Sequence, residues 1–142
     1  MSTETNKKIV QRIFEEGINQ NKPEVYDEVI AANYVNHDFP TPTPGVEGFK
    51  IVMGMFKAGF PDLHITLENT LAEGDRVATL GYFTGTHQGE FNGIPATGRS
   101  AKVKYIDFWR IENGKAVENW VQMDMIGLLQ QLGVMPTPTQ PY

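Results

Sequence analysis

Apolar residues recur every three to four positions in the first sixty residues, and this spacing predicts three helices. The first runs from Thr5 to about Gln20, and Thr5 or Asn6 can cap its start. The second follows Pro23, a residue type suited to the first turn of a helix. The third runs from about Gly48 to Phe60.

After Pro61 the period changes to two, which is typical of β-strands with one buried face. Apolar and polar residues alternate in four segments, at about 64–68, 76–86, 100–111 and 116–124. Asn113-Gly114 separates the last two segments and is a strong signal for a β-hairpin. A short apolar segment, Ile126 to Leu132, predicts a final helix that ends at Gly133. This order predicts an α+β protein with helices packed on one face of an antiparallel sheet.

The stretch between the second and third helices fits neither period. Three prolines at 40–44 exclude a helix or a central strand, whereas the preceding Tyr34-Val35-Asn36-His37 is aromatic and polar. We therefore expect a loop that covers the mouth of a pocket. The length of 142 residues fits one domain, 1–142, in which the proline-rich residues 136–142 form a loose tail.

Composition excludes several classes of function. The formal charge is −5, and the sequence lacks the clusters of lysine and arginine that bind nucleic acid. The absence of cysteine excludes disulfides, thiolate metal sites and a cysteine nucleophile. The first eight residues have no apolar core of a signal peptide, and no apolar run approaches the roughly 20 residues that span a bilayer. We expect a cytoplasmic protein that binds neither nucleic acid nor membrane.

Strand alternation places candidate polar groups on shared faces. On the third predicted strand, one face carries Val103, Tyr105, Asp107 and Trp109. On the fourth, one face carries Trp120, Gln122 and Asp124. If the hairpin pairs these strands about its centre, both sets point inward. They would then line an apolar and aromatic pocket that bears two carboxyl groups and an amide, a makeup typical of ligand pockets.

Asp124 is the leading candidate for chemistry, since a carboxyl group desolvated there would have a raised pKa and act as general acid or base. Asp124 could also cap the helix that follows, and the two roles need not exclude each other. Asp107 is either a second pocket carboxyl group or one half of an ion pair. His37 and His87 could transfer a proton or polarise a carbonyl group, or could be loop histidines bonded to backbone. The wide spacing of the histidines gives weak support to a metal site.

Several short motifs, in this order and spacing, resemble the SnoaL-like polyketide and ester cyclases, which share a curved-sheet fold with ketosteroid isomerase. The motifs are Tyr34-Val35-Asn36-His37, Phe60-Pro61-Asp62-Leu63-His64, Glu73-Gly74-Asp75-Arg76-Val77, Gly85-Thr86-His87-Gln88-Gly89-Glu90-Phe91, Gly93-Ile94-Pro95-Ala96-Thr97-Gly98, Gly114-Lys115 leading to Glu118-Asn119-Trp120, and Asp124 followed by Gly127-Leu128-Leu129-Gln130-Gln131-Leu132-Gly133.

The resemblance implies N-terminal helices packed in the concave face of a cone-shaped, barrel-like antiparallel sheet, an internal pocket, and a homodimer formed through the sheet. It implies an intramolecular aldol cyclisation of a small, largely apolar carbonyl compound, without metal or cofactor. The acid–base aspartate of the family matches Asp124, and its pocket histidine matches His37. We expect Tyr34, Asn36, His87, Tyr105, Trp109, Trp120 and Gln122 to contact the substrate.

Two departures from the family pattern keep other functions open. Asn119 stands where many relatives carry histidine, and Asp107 lies where others hold different polar residues. The same pocket would also suit a dehydratase, an isomerase or an epoxide hydrolase. Non-catalytic alternatives are a module that binds an apolar metabolite and a dimeric accessory domain with a vestigial pocket.

Overall fold

Two helical forms follow one another at the N-terminus of the computed structural model, which describes residues 2–136. Helix α1, Thr3–Arg12, begins at Ser2, whose hydroxyl accepts a hydrogen bond from the amide of Thr5. It continues into a π-helical segment, Ile13–Asn19. Gly17 in that segment packs directly on the Tyr26 ring, where a Cβ atom would lie 2.3 Å from the nearest ring carbon.

The remaining helices agree in position with the sequence pattern. Helix α2 is Glu24–Val29, α3 is Gly45–Gly59 and α4 is Met125–Gln131. The proline-rich loop before α3 is present, and no strand or helix forms between 37 and 44. The tail predicted for 136–142 lies, apart from Pro136, outside the described residues.

Five strands form a curved sheet that does not close into a barrel. They are β1, Ile30–Asn36; β2, His64–Glu73; β3, Arg76–Thr86; β4, Ser100–Glu112; and β5, Lys115–Met123. Their order in the sheet is β1-β5-β4-β3-β2, so that the two edge strands, β1 and β2, remain apart. The α+β fold is confirmed, with the helical elements against one face of the sheet.

The prediction of a purely antiparallel, four-stranded sheet is wrong at one edge. Strand β1 joins the sheet parallel to β5, which makes the sheet mixed. Its buried residues do not alternate, since Ile30 and Ala31 are both buried and the next buried residue is Tyr34. A strand without a period of two gives no clear signal in the sequence.

A β-bulge interrupts the hairpin between β4 and β5. Next to the Asn113-Gly114 turn, Ile111 pairs with Ala116, but the next pair along is Arg110 with Glu118. Val117 is left without a partner and is buried. Because side chains alternate along a strand, this one extra residue exchanges the two faces of β5 beyond it.

The core lies between the sheet and the helices and is rich in aromatic rings. Trp109, Phe60 and Phe83 are among its fully buried side chains. Within residues 2–136, no helix is both long enough and apolar enough to cross a membrane.

Candidate active site

An apolar cavity lies between the concave face of the sheet, the π-helical segment and α3. Its volume is about 70 Å³, several times the roughly 10–15 Å³ that one water molecule requires. Residues from the loop before α3, Phe39 and Thr41, form part of its wall. Most of the remaining wall is apolar and includes Phe14, Phe49, Phe56, Leu63, Phe83 and Val121.

Asp107 is the one carboxyl group on the cavity wall among the described residues, and its side chain is 3% exposed. It sits on β4 directly opposite Thr79 of β3, whose hydroxyl donates a hydrogen bond to it. Burial raises the pKa of Asp107 to about 7, and the hydrogen bonds from Thr79 oppose that rise only in part. A carboxyl group with such a pKa can both accept and return a proton near neutral pH.

Tyr105 extends this polar group on the same face of β4. Its hydroxyl oxygen lies 3.4 Å from the Thr79 hydroxyl, which in turn bonds Asp107. Burial, reinforced by the nearby Asp107 charge, raises the pKa of Tyr105. Tyr105 therefore remains neutral at physiological pH and can act as a hydrogen-bond donor.

A second polar group lines the cavity where β1 meets β5. The Tyr34 hydroxyl donates to Asn119 Oδ1 at 3.4 Å, and Asn36 Nδ2 donates to the same oxygen at 3.3 Å. Asn119 Nδ2 donates to the backbone oxygens of Phe108 and Trp120. Burial raises the pKa of Tyr34, so that this group carries no charge near neutral pH.

Trp109 completes the polar part of the wall. Its ring packs between Tyr34, at a centroid distance of 6.4 Å, and Phe14, at 6.0 Å. The indole nitrogen is buried and has no acceptor at hydrogen-bonding distance and angle within residues 2–136. It nevertheless lies near enough to Asp107 to favour the ionised carboxylate and so to lower its pKa slightly.

The structure brings together part of the predicted set. Tyr34, Asn36, Tyr105, Asp107 and Trp109 all line the cavity. For β4, the placement follows from uninterrupted alternation of buried and exposed residues over the whole strand. These positions are structural findings, whereas the roles of the side chains in catalysis stay predictions.

The predicted inward orientation of Asp124, Trp120 and Gln122 is wrong. The bulge at Val117 turns Asn119, Val121 and Met123 toward the cavity instead, and these three line it. Trp120 and Gln122 lie on the outer face of the sheet.

Asp124 is exposed and does not line the cavity. Its carboxylate accepts a hydrogen bond of 2.8 Å from the Gly127 amide and so caps helix α4. Asp124 therefore has the predicted capping role, which is a favoured one for aspartate.

The histidines also lie away from the cavity. His37 is exposed, stacks on Trp120 at a centroid distance of 4.7 Å and contacts Glu118 at 3.3 Å. His87 is fully buried, but it accepts a hydrogen bond from the Thr97 amide and stacks on Phe60 outside the cavity. Their predicted pocket positions are wrong because each belongs to a loop that packs elsewhere.

Sequence reasoning missed three polar residues of the site, Thr41, Thr79 and Asn119. Thr79 is identified as the partner of Asp107 only when the register between β3 and β4 is known. Asn119 drew attention as a departure from the family pattern, but its position in the cavity depends on the bulge at Val117. Within residues 2–136, no group of three or more histidine, aspartate or glutamate side chains could hold a metal ion.

Residues 8–132 match the sequence profile of the SnoaL-like polyketide cyclases. The chain belongs to this family. No curated protein matches this SnoaL-like chain in sequence. The family supports a cyclase or a related catalytic role, and it leaves the reaction and the substrate to be argued from the site.

Solved structures of similar proteins share the SnoaL-like fold. TsrD from Streptomyces laurentii is 27% identical, with a TM-score of 0.87 over 95% of this chain and 99% of its own. IdmH from Streptomyces antibioticus, assigned as a candidate polyketide cyclase, is 33% identical, with a TM-score of 0.78 over 91% and 99%. AclR from Streptomyces galilaeus, assigned as a candidate hydroxylase, is 26% identical, with a TM-score of 0.77 over 95% and 100%.

Proposed function

We propose that this SnoaL-like protein is a cofactor-independent acid–base enzyme that closes a ring in a small, largely apolar carbonyl compound by an intramolecular aldol step. The observation that carries the proposal is Asp107, a buried carboxyl group on the wall of an apolar cavity with a pKa of about 7. Asp107 takes the catalytic role for which the sequence favoured Asp124.

The chemistry requires few groups. The carboxylate of Asp107 removes a proton from the carbon next to a carbonyl group, and the electron pair of that C–H bond moves to give an enolate. The enolate carbon attacks a second carbonyl group of the same molecule and forms a carbon–carbon bond. Protonated Asp107 then returns its proton to the new alkoxide, so that the step is balanced without an oxidant or reductant.

The surroundings of Asp107 suit this sequence of steps. The Thr79 hydroxyl fixes the carboxyl group, and Tyr105 supplies a neutral hydroxyl on the same face. The apolar wall favours a compact conformation of an apolar substrate, and holding both reacting ends together can lower the barrier by about 7–11 kcal/mol. General acid–base catalysis typically adds about 10²–10⁴-fold in rate.

Proton exchange at carbon tests the first step without knowledge of the natural substrate. The carbon-bound proton of ethyl 2-methylacetoacetate exchanges in D₂O, and NMR measures the rate with and without protein. We expect the wild type to accelerate exchange and Asp107→Asn, which has nearly the same shape, to lose the acceleration. Equal exchange by a folded Asp107→Asn variant would sink the proposal.

Product analysis separates the related reactions that the same cavity could support. Only cyclisation creates a carbon–carbon bond, whereas a dehydratase releases water, an isomerase moves a double bond and an epoxide hydrolase opens an oxirane. A panel of linear polyketide mimics with two carbonyl groups, analysed by mass spectrometry and NMR, distinguishes these outcomes.

A non-catalytic binding module is the second candidate. It is favoured by the Tyr34–Asn119–Asn36 group, which is neutral, joined by hydrogen bonds and placed on the cavity wall, so that it suits recognition rather than proton transfer. Native mass spectrometry of freshly purified protein would detect a retained metabolite. A ligand that stays chemically unchanged on prolonged incubation would favour binding over turnover.

We also propose that two copies associate through the outer face of the sheet. Leu71, Phe108 and Trp120 lie in one cross-strand row on this face, and Leu71 is 69% exposed. Ile106, at 58% exposed, widens the same apolar surface. Sedimentation velocity of the wild type and of Ile106→Lys tests this, since a dimer formed here should dissociate when a charge is introduced.

A further inference from the structure

The indole N–H of Trp109 is a buried donor that lies near Asp107 but has no acceptor at hydrogen-bonding distance and angle within residues 2–136. Within residues 2–136, three buried side-chain polar atoms lack a hydrogen-bond partner, namely Asn6 Oδ1, His87 Nε2 and Trp109 Nε1. Of their three residues, only Trp109 lines the cavity. Buried polar groups in native proteins are nearly always paired, and an unpaired one in a cavity is explained most simply by a ligand that pairs with it.

Two other buried donors on the wall are already engaged. The Tyr34 hydroxyl donates to Asn119, and the Asn119 amide donates to two backbone oxygens. The Tyr105 hydroxyl lies beside Thr79. A ligand oxygen that enters the cavity therefore meets a buried donor at Trp109 that has no partner among residues 2–136.

The position of Trp109 next to Asp107 indicates what kind of ligand atom this donor would bind. The two side chains are two residues apart on β4 and share the face that lines the cavity. The ring of Trp109 is held by Tyr34 at an interplanar angle of 26° and by Phe14 at 80°, so that the direction of the N–H bond is fixed. A rigid donor thus stands next to a proton acceptor on a mostly apolar wall.

We propose that the indole N–H of Trp109 binds the carbonyl oxygen of the substrate and thereby places the adjacent C–H bond at Asp107. This inference rests on the proposed function and narrows the substrate class to ketones and esters with an enolisable carbon beside the bound oxygen. When Asp107 takes the proton, negative charge develops on that oxygen. The hydrogen bond from Trp109 then strengthens, because bonds to charged acceptors are about twice as strong as bonds to neutral ones, and so it stabilises the enolate.

Two ligands of the same shape isolate the hydrogen bond. Acetophenone carries a C=O group where α-methylstyrene carries C=CH₂, so that only the first offers an acceptor. Calorimetric titration of each into the wild type and into Trp109→Phe compares four affinities. Any change of packing caused by the substitution affects both ligands and cancels in their ratio.

We expect the wild type to bind acetophenone about tenfold more tightly than α-methylstyrene, and Trp109→Phe to lose most of that preference. NMR gives a second readout that requires no substitution at 109. The chain has two tryptophans, and Trp120→Phe assigns their indole N–H signals. The Trp109 signal should move downfield with acetophenone and remain in place with α-methylstyrene.

Equal affinity of the wild type for both ligands, an unmoved Trp109 signal, or no binding of acetophenone would overturn the inference. If Trp109→Phe does not fold, the NMR titration of the wild type still decides. The proposed function fails separately, because it depends on the loss of carbon-proton exchange in Asp107→Asn. If exchange requires Asp107 but the Trp109 signal does not move with acetophenone, Asp107 remains the proposed base and only the proposed oxygen site at Trp109 is wrong.

Discussion

Asp107 on β4 lies directly opposite Val121 on β5, and both side chains face the cavity. This pairing exists because Val117 bulges out of the hairpin and shifts β5 by one residue. Beyond the bulge, Val121 and Asn119 face inward while Trp120 and Gln122 face outward. The composition of the site therefore depends on a backbone irregularity about ten residues from the carboxyl group.

The two aspartates give opposite predictions when the same change is made in each. Asp107→Asn should lower the rate of carbon-proton exchange by about 10²–10⁴-fold, the usual contribution of a general base. Asp124→Asn should keep the parent rate, since Asp124 is exposed and asparagine is an equally good helix cap. Circular dichroism of both variants checks that they fold. The reverse pattern of rates would restore Asp124 as the base.

The sequence predicted those parts of the fold in which a regular period continues without interruption. Strand β4 alternates over all of Ser100–Glu112, and Tyr105, Asp107 and Trp109 were therefore placed on the correct face. Strand β5 alternates equally well beyond its bulge, but the side chains that share a face give no indication of which face is inside. A bulge adds one residue and requires no distinctive residue type, so the sequence does not reveal it. Asp124 was assigned to the cavity because the assumed register of β5 differed by one residue from the true register.

Long-range pairing accounts for the other differences. Strand β1 forms because Ile30 and its neighbours find a parallel partner in β5, more than eighty residues away. The contact between Thr79 and Asp107 likewise depends on the register of β3 against β4. His37 and His87 were singled out by their positions in the sequence, and His37 also by resemblance, but their loops carry them to the outer face and to a packed site beside Phe60.

The pH dependence of the rate should report the ionisation of Asp107. The base is active when deprotonated, and its pKa is about 7. We therefore expect kcat/KM to rise about tenfold per pH unit below pH 7 and to level off above it, since this parameter follows the free enzyme. The neighbouring Tyr105 and Tyr34 have raised pKa values and stay neutral across this range. A profile that is flat from pH 5 to pH 8 would contradict the role of Asp107.

The ionisation of Asp107 should also change the free energy of unfolding, and in the opposite direction, because stability falls where the rate rises. The pKa of Asp107 is about 7 in the folded protein and near the ordinary 3.8 in the unfolded chain. Between pH 4 and pH 7 the folded state retains a proton that the unfolded state releases, so that stability falls as the pH rises through this window. Three pKa units correspond to about 4 kcal/mol.

The matched measurement compares urea unfolding of the wild type and of Asp107→Asn at several pH values. The difference in the free energy of unfolding, wild type minus variant, should be largest near pH 4 and fall by up to about 4 kcal/mol by pH 8. The amide of the variant does not titrate, and other ionisable groups cancel in the difference. If the free energies of unfolding of the two proteins change equally with pH, burial does not raise the pKa of Asp107.

Deletion of Val117 tests whether the bulge determines the site. Ile111 pairs with Ala116 and Arg110 with Glu118 on the two sides of Val117, so that its removal leaves a regular hairpin in which Asn119 and Val121 still face the cavity. Deletion also removes a buried side chain and therefore lowers stability. We expect the deletion variant to fold and to retain carbon-proton exchange.

Val117→Ala is the matched control, because it shortens the same buried side chain and keeps the residue count. It should cost about 1–3 kcal/mol, as is usual for truncation of a buried side chain, and should retain exchange activity. Thermal denaturation and the exchange assay give both readouts. A folded deletion variant that loses exchange, beside an active Val117→Ala, would show that the site needs the backbone shape of the bulge and not only the register around it.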